Sequence, residues 1–589
     1  MFRNRSSTCV LSRQVKTLKR QTSSLAQKEY DVLVVGGGIF GAFATWDAAL
    51  RGLRVAIVER GDFSQATSSN HFKVVHGGIR YMQHADFLRV RQSSRERSTL
   101  LRIAPHLVYP LPIILPTYGH GNGGKGILRL GCSLYDLLTL DRNRGLHDRK
   151  RRIPSCRFLT SSEVLKHFPR LDARGLTGGL VFYDGQIYNP TRLVMSAMRS
   201  AVAAGAHAAN YMEVTRFLRR GRRVVGAEVQ DREGGAQLTV RARVVLNATG
   251  PWAPRLLRDA LGLDLGHLTP TFSRDVAIVS SKQLSPTFGL GLPTVSSDGK
   301  AILDRGGRHL LMVPWRGNTL VGVWHGVHSG SIDEPYVGRD EVQQYVSQAN
   351  AVCPGLGLRL DDVQMVYAGL VLSKGQDQVT DRHFFGTRSI LIDHSRTNEL
   401  DGLITLIGVR ATVARQAAER AVDLIVKKLR LPSPPCATHR VALDGGNLGD
   451  WKAFSNQLAQ NQCLEARDLR RSIAHNYGTV AHDLLALGLD DPDLLKPLTG
   501  TCVLKAEIVH AVREEMALTL EDAVLRRTEL GTAGTPGEVA LSECANIMGK
   551  ELRWTNDDRL GEIKKLHDFF AKCGMLRKAS NGEVPAYER

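Results

Sequence analysis

The chain has 589 residues, of which 43% are hydrophobic and 23% charged, and its formal net charge is +20. This length exceeds one ordinary domain, so we expect two or three domains with substantial cores. No apolar run is long enough for a membrane-spanning helix, so we expect any membrane contact to be peripheral. The nine cysteines include no C-x-x-C pair, which argues against a zinc site or a disulfide framework, so we expect no metal and a reducing compartment.

The first 28 residues form a basic extension that contains no acidic residue. Serine, threonine and glutamine accompany its lysines and arginines, as in a mitochondrial presequence. A disordered bacterial extension has the same composition, so both interpretations stay open. In either case we place 1–28 outside the folded domains.

A dinucleotide-binding βαβ unit is predicted by the first apolar runs of the chain. A strand-like run ends at Gly36, Gly38 and Gly41, a helical run follows, and the next apolar run ends at Glu59. Gly36 permits a tight turn, Gly38 lets the backbone approach a pyrophosphate at the helix N-terminus, and Gly41 lets the helix pack against the strand. Glu59 is placed to accept hydrogen bonds from an adenosine ribose, which disfavours NADP.

Two polar stretches that follow this unit are predicted to contact the cofactor. The first is rich in hydroxyl groups, and the second reads His-Gly-Gly-Ile-Arg-Tyr. Burying such polar groups is costly unless they are bonded, so we favour a binding site over an ordinary surface loop. The predicted contacts are Arg60, Thr67, Ser68, Ser69, His76, Gly77 and Gly78.

A second strand that ends in small residues, at 242–250, is predicted to bring its backbone close to a flavin. A third buried strand is predicted at 403–410. Their predicted contacts are Ala248, Thr249, Gly250, Trp252 and Gly408. Together with the first unit they predict an α/β fold, a Rossmann-like FAD-binding domain of the two-dinucleotide type, assembled from discontinuous pieces at 29–90, 178–267 and 400–430.

The remaining segments predict two further units. A substrate domain with an antiparallel sheet is expected at 91–177 and 268–399, from strand-like runs at 301–304, 309–314 and 319–324. Beyond the proline-rich linker at 431–435, helical periodicity predicts an all-α domain at 440–575, including a helix at 519–527.

Three features of the first substrate-domain segment indicate its surface. An amphipathic basic helix is predicted over 86–103. The repeated prolines at 104–116 favour an edge strand or an extended passage. The basic run at 141–152 favours a solvated face, with contact to anionic lipid as the alternative.

The order of these signals resembles the FAD-dependent glycerol-3-phosphate dehydrogenases from about residue 29 to 530. The pieces that carry the resemblance lie at 36–41, 76–81, 101–106, 247–252 and 504–522. The resemblance implies oxidation of glycerol 3-phosphate to dihydroxyacetone phosphate by bound FAD, with electrons passed to a membrane quinone.

Three pocket positions differ from the family pattern. Gly-Val-Trp-His, with Trp324 and His325, stands where the family has Gly-Thr-Thr-Asp. Val371 stands at the position of a substrate-binding arginine, and Arg410 replaces a lysine, while Lys374 is near enough in sequence to restore the missing charge. A related phosphorylated or carboxylated alcohol therefore stays open as the substrate.

The expected reaction, hydride transfer from a carbinol carbon to flavin N5, needs a base for the hydroxyl proton and a group that holds the anion. Arg80 is the first choice for the anion and Arg410 the second, because a guanidinium binds phosphate or carboxylate with two hydrogen bonds. His76, His325 and Tyr81 are candidates for the base or an orienting group. A purely structural role stays open for each histidine.

Other functions remain open at this stage. An FAD oxidase of an amino acid or 2-hydroxy acid would pass its electrons to oxygen. The positive charge permits a nucleic-acid-binding flavoprotein, but the chain has no obvious basic stretch interleaved with aromatic residues, so we expect no nucleic acid. A catalytically inactive FAD scaffold is the fourth possibility.

The expected assembly is a homodimer that binds a membrane peripherally and takes a small anionic substrate. The membrane would be the bacterial inner membrane, or the mitochondrial inner membrane if 1–28 is a presequence.

Overall fold

The computed structural model describes residues 17–119, 125–266, 270–294, 309–377, 382–385, 388–461, 464 and 466–573. Two sheets and a helical C-terminal unit make up this part of the chain. The predicted strand at 301–304, the first 16 residues of the extension and the side chain of Lys374 lie outside the described residues.

The first sheet is built around the glycine motif. Its strands within the described residues are β1 (Glu29–Val35), β2 (Val55–Val58), β7 (His207–Ala209), β8 (Met212–Arg220), β9 (Arg223–Asp231), β10 (Gln237–Asn247), β17 (Ile390–Asp393) and β18 (Leu403–Ile407). Strands β2, β1, β10 and β18 lie side by side and run parallel. Their carboxyl ends therefore meet at one edge, where ligands bind in sheets of this type.

Helices cover this parallel sheet, which explains why its central strands are apolar on both faces. The helices of the first three quarters of the chain are α1 (Thr22–Gln27), α2 (Ile39–Leu50), α3 (Phe87–Ile103), α4 (Lys125–Leu138), α5 (Ser161–His167), α6 (Pro190–Ala203), α7 (Ala253–Leu261), α8 (Arg339–Val352), α9 (His394–Thr397) and α10 (Ala414–Leu429). Helix α2 packs between α6 and α10, and α3 confirms the basic helix predicted over 86–103.

The second sheet stands opposite the carboxyl edge of the first. Its strands within the described ranges are β3 (Val74–Val75), β4 (Val108–Tyr118), β5 (Arg157–Leu159), β6 (Leu176–Ile187), β11 (Thr271–Ser280), β12 (Gly289–Pro293), β13 (His309–Trp315), β14 (Asn318–Val327), β15 (Val363–Asp377) and β16 (Arg382–Phe385). Their pairings are antiparallel except that of β4 with β12. The predicted domain boundary at 178 falls inside β6.

The proline-rich segment is extended, as predicted, but its strand β4 lies between β12 and β6, so the prediction of an edge strand is wrong. It pairs along its length with β6 and, at Ile113 and Ile114, with β12. Proline is tolerated here because the second neighbour pairs with β4 over only two residues, so few backbone N–H groups are needed on that side.

The C-terminal unit is helical, as predicted. Its helices in the described part are α11 (Trp451–Ala459), α12 (Arg467–Tyr477), α13 (Ala481–Ala486), α14 (Lys505–Glu515), α15 (Glu538–Leu552) and α16 (Asn556–Lys572). The helix expected at 519–527 is a π-helical turn, Asp522–Arg527. Among the described residues, the structure contains no helix with the length and apolarity that crossing a bilayer requires.

The basic run at 141–152 is only partly solvated. Arg142 is buried and donates to the carbonyl oxygens of Ile153 and Thr139. Arg151 is also buried, with its guanidinium 4.3 Å from the ring centroid of Trp451. These two arginines support the local fold, which leaves the exposed members of the run for any contact with lipid.

Candidate functional site

A cavity of about 2560 Å³ lies at the carboxyl edge of the first sheet, facing the second sheet. The predicted residues that line it are Gly36, Gly38, Glu59, Arg60, Thr67, Ser68, Ser69, His76, Gly78, Arg80, Tyr81, Ala248, Thr249, Gly250, Trp252, His325, Gly408 and Arg410. The folded chain therefore brings to one place residues predicted from four separate segments.

The glycine turn is close-packed in the way that a dinucleotide cradle requires. Gly36 has a φ of +107°, and a Cβ there would lie 2.8 Å from the carbonyl oxygen of Ala248. A Cβ at Gly41 would lie 1.9 Å from the oxygen of Gly36, so only glycine lets α2 approach the strand this closely. Gly38, the N-cap of α2, lines the cavity. The helix N-terminus thus faces the space where a pyrophosphate would bind.

Glu59 follows β2 directly, as predicted, and its half-buried side chain lines the cavity. It accepts hydrogen bonds from the backbone N–H groups of Gly37 (2.6 Å) and Gly61 (2.9 Å). Burial raises the pKa of Glu59, and these two donors oppose the shift. A carboxylate has about four acceptor positions, so capacity for ribose hydroxyls remains.

The hydroxyl groups predicted to contact the cofactor make hydrogen bonds within the protein. Ser68 Oγ accepts from the N–H of Ile39 in the first turn of α2, and Thr67 Oγ1 donates to the carbonyl of Leu370 on β15. Ser69 Oγ donates to the carbonyl of Ala66. In the structure, Ser68 bonds to the first turn of α2, and Thr67 joins the loop after β2 to the second sheet.

Gly77 lies behind the cavity wall. Its N–H donates to Asp184 Oδ1 at 2.6 Å, and a Cβ at this position would lie 2.0 Å from Nη1 of Arg97. The buried pair Arg97 and Asp184 occupies the space beside this glycine, so packing requires a glycine here, and the cofactor contact of Gly77 stays a prediction.

Trp252 and Arg60 share a partner that the sequence did not indicate. Asp333 accepts from the indole N–H of Trp252 at 2.7 Å and from Arg60 at 2.9 Å, and it also pairs with Arg255. These three donors hold the pKa of Asp333 well below its usual range, although partial burial acts against them. The segment that contains Asp333 therefore forms part of the cavity wall next to Trp252 and Arg60.

A cationic cluster surrounds the ring of Tyr81. The guanidinium carbons of Arg89 and Arg410 lie 4.5 and 5.1 Å from its centroid, and the His76 ring lies 5.7 Å away, edge-on. Among the described residues, Nε of Arg410 is buried and has no hydrogen-bond acceptor. Burial lowers the pKa of Arg410 to about 10, so it is cationic at neutral pH. Arg80, the first choice from sequence, is exposed at the rim of the cavity.

His76 is the histidine closest to this cluster. Burial, together with the nearby charges of Arg410 and Arg97, lowers the pKa of His76 to about 3. The imidazole is therefore neutral at pH 7, so its unprotonated ring nitrogen can accept a hydrogen bond from a substrate hydroxyl. Its neighbours suit an anionic substrate whose hydroxyl group is deprotonated as it reacts.

His325 and the altered family positions lie on the second sheet. His325 Nδ1 is 2.7 Å from Oδ1 of Asp275, on the adjacent strand β11. Val371 lines the cavity, whereas Trp324 stacks on Tyr345 at 4.7 Å between centroids, in the core of the second sheet. Of the altered positions, Val371, His325 and Arg410 therefore change the cavity surface.

Sequence reasoning missed a buried amine in the cavity wall. Lys73 Nζ lies 3.0 Å from the ring centroid of Tyr367 and 4.9 Å from that of Trp315. Burial, reinforced by the charge of Arg316, lowers the pKa of Lys73 well below its usual value. The only indication in the sequence was that this lysine directly precedes two valines, which form the short strand β3.

Comparisons with known proteins agree with this geometry. The family model described as FAD dependent oxidoreductase matches residues 31–408, and the C-terminal domain of alpha-glycerophosphate oxidase matches residues 436–559. The glycerol-3-phosphate dehydrogenase of Synechocystis is 32% identical over 572 residues, 93% of this chain and 98% of the relative. The mitochondrial enzyme of Rattus norvegicus is 32% identical over 94% of this chain and 74% of its own length.

The chain belongs to the FAD-dependent glycerol-3-phosphate dehydrogenase family. The structure of the Bacillus halodurans glycerol-3-phosphate dehydrogenase complexed with FAD has the same fold, with a TM-score of 0.69 and 24% identity over 96% of this chain and all of that one. The protein is thus an FAD-dependent oxidoreductase, and the predicted fold class is confirmed.

The residues present fit FAD. The glycine cradle, the N-terminus of α2 and Glu59 provide space, a positive dipole end and a carboxylate in the order that a dinucleotide needs. The cavity also exceeds the roughly 300–1,000 Å³ of common ligand pockets, which leaves room for a substrate beside the cofactor.

Proposed function

We propose that this protein oxidises glycerol 3-phosphate to dihydroxyacetone phosphate. The observation that supports the proposal most is the Tyr81 cluster, in which a neutral histidine lies on the cofactor cavity beside an arginine whose Nε is buried without an acceptor among the described residues. FAD, when bound, supplies the acceptor for the hydride that leaves the carbinol carbon.

Arg410 is the residue we propose for the substrate phosphate. Its Nε has no acceptor among the described residues, and a buried donor without an acceptor is costly, so a ligand oxygen is its natural partner. Arg80 and Arg89 lie near it on the cavity and add positive charge for a dianion. Val371 supplies no such charge, so Arg410 takes over anion binding from the position that the family uses.

His76 is the residue we propose as the base for the substrate hydroxyl. It is neutral at pH 7, lines the cavity and lies beside Tyr81, whose ring would orient it. General-base assistance by a positioned side chain contributes roughly 10²- to 10⁴-fold to rate. His325, held by Asp275 on the opposite wall, is the alternative base.

The proposed substrate is tested by mixing the oxidised protein with candidate alcohols under anaerobic conditions. At equal concentration glycerol 3-phosphate should bleach the flavin absorbance, glycerol should do so only far more slowly, and glycolate, lactate and glycine should not do so. Bleaching by an amino acid or a 2-hydroxy acid, with peroxide released in air, would support the oxidase alternative instead.

We also propose that a membrane quinone accepts the electrons through an apolar opening of the cavity. The large exposed side chains of this region are Phe87, Leu88, Leu130, Leu134, Leu137 and Leu140, and three of them, Phe87, Leu130 and Leu134, also line the cavity. Leu130 is 74% and Leu137 63% exposed on α4. Such a patch beside a basic surface is suited to the interface of an anionic bilayer.

The double variant Leu130→Glu with Leu137→Glu tests this surface. It should lose flotation with anionic vesicles and reduction of a long-chain quinone, while reduction of a soluble dye continues. The control is Leu489→Glu, which changes an equally apolar side chain, 85% exposed, in the C-terminal unit. Unchanged vesicle binding by the double variant would show that the patch is not a membrane contact.

The homodimer remains a prediction, which light scattering would test by measuring the molar mass of the protein in solution.

A further inference from the structure

The loop that follows Glu59 is held by the C-terminal unit. Asp62 is buried, and its carboxylate accepts from Nε of Arg526 (2.7 Å) and from both terminal nitrogens of Arg527 (2.6 and 2.7 Å). Asn210 donates a further hydrogen bond at 2.9 Å. Burial opposes ionisation of Asp62, but the charges of Arg527 and Arg526 overcome it and lower its pKa to about 2.

The same loop also packs against the glycine turn and fixes its shape. Phe63 is fully buried, and a Cβ at Gly37 would lie 2.3 Å from its ring. The N–H of Ser64 donates to the carbonyl of Gly37 at 3.1 Å, and Glu59 accepts from the N–H of the same glycine. Movement of Asp62 would therefore be passed through Phe63 and Ser64 to the cofactor cradle.

The two arginines are themselves held within the C-terminal unit. Arg526 also bonds to Asp522 and Glu521, and Arg527 donates through Nε to the carbonyl of Glu515 at 2.8 Å. The π-helical turn carries both arginines, and it presents the two guanidinium groups side by side to one carboxylate. Arg526 and Glu521 also reach the cavity wall.

Buried ion pairs contribute little net stability, because the cost of desolvating the charges offsets their attraction. The cluster instead fixes the positions of its side chains. A buried charge that is separated from its partner is strongly unfavourable, so other arrangements of these groups are disfavoured. The cluster joins residues 464 or more positions apart in sequence, at the point where the cofactor loop meets the second family domain.

We propose that the C-terminal domain acts as a cofactor clamp, in which Arg526 and Arg527 position Asp62 and thereby hold the glycine turn in its FAD-binding shape. The inference rests on the FAD site described above and gives the helical domain a role in cofactor retention. Asp62, Arg526 and Arg527 are positioning residues rather than catalytic ones.

The test is the dissociation constant of FAD, measured by diluting the holoenzyme and following the fluorescence of released flavin. Asp62→Asn should raise this constant about 30-fold, which corresponds to about 2 kcal/mol. The matched control is Glu96→Gln, which removes the carboxylate of another buried ion pair, with Arg415, on α3 and α10. The control should lower the melting temperature without releasing FAD.

A second variant separates folding from cofactor retention. Asp62→Leu with Arg527→Met removes one positive and one negative charge, and Arg526 keeps Asp522 and Glu521 as partners. No charge is then buried without a partner, so this variant should fold while still binding FAD weakly. Equal FAD affinity in wild type, Asp62→Asn and this double variant would overturn the clamp. If the wild type retained FAD but did not oxidise glycerol 3-phosphate, the proposed function would fail while the clamp could still be measured.

Discussion

Replacing Arg410 by glutamine tests how the cavity holds its substrate. The Nε atom of Arg410 is buried and has no acceptor among the described residues, so a phosphate would be bound by a partly desolvated cation. A hydrogen bond to a charged group contributes about 1.5–3 kcal/mol, and loss of a two-fold contact with phosphate should cost about 3 kcal/mol. At about 1.4 kcal/mol per factor of ten, kcat/KM for glycerol 3-phosphate should fall about 100-fold.

The assay compares glycerol 3-phosphate with uncharged glycerol at equal flavin content. Only the phosphorylated substrate should lose rate in Arg410→Gln, because glycerol makes no ionic contact with this residue. Arg410→Lys keeps the charge and should retain activity within about tenfold of wild type, since lysine binds phosphate as a point charge. An equal loss for both substrates, or no loss for either, would refute the assignment of Arg410 to the phosphate.

Three further predictions follow from other parts of the site. His76→Asn should retain FAD but lower kcat by about 10²- to 10⁴-fold. Because the pKa of His76 is lowered to about 3, the acid limb of the wild-type pH–rate profile should lie far below pH 6.5. An acid limb near pH 6.5 would point to another base. Gly41→Ala should abolish FAD binding in a fluorescence titration, since its Cβ would lie 1.9 Å from the Gly36 oxygen. The control Gly126→Ala should bind FAD normally, because a Cβ at Gly126 would have no atom within 4 Å. The pKa of Asp62 is lowered from its ordinary value of 3.8 to about 2 in the folded state, so ionised Asp62 stabilises the fold at pH values above 3.8. This contribution is lost as the pH falls towards 2. The free energy of unfolding in urea should therefore depend less on acid pH in Asp62→Asn than in wild type.

The cofactor half of the molecule was largely predictable from sequence because local patterns determine it. Glycines that permit a turn, an apolar strand and a terminal acid occur within about thirty residues of one another, so the chain itself shows the unit. Gly36, Gly38 and Glu59 therefore lie on the cavity as expected. Gly77 does not, because a glycine required for packing beside Arg97 and one required for cofactor approach look the same in sequence.

The substrate half was less predictable because it depends on contacts between distant segments. Asp333 meets Trp252 and Arg60 across 81 and 273 positions, and no local pattern indicates that pairing. Trp324 stands at a family pocket position in sequence, yet its side chain packs on Tyr345 and is not among the residues that line the cavity. Packing between distant segments decided these outcomes, and no local sequence pattern specifies it.

The C-terminal unit shows a third limit. Its helical character was evident from periodicity, but the role of Arg526 and Arg527 was not, because basic residues at a helix end are also the ordinary complement of the helix dipole. Only the folded arrangement shows that both side chains turn inward to Asp62.

The most direct measurement of the central claim is rapid anaerobic mixing of the oxidised protein with glycerol 3-phosphate carrying deuterium or hydrogen on its carbinol carbon. The account predicts loss of the flavin absorbance in a single turnover, slower with deuterium, and stoichiometric dihydroxyacetone phosphate. A flavin that stays oxidised with this substrate, yet is bleached by dithionite, would contradict it.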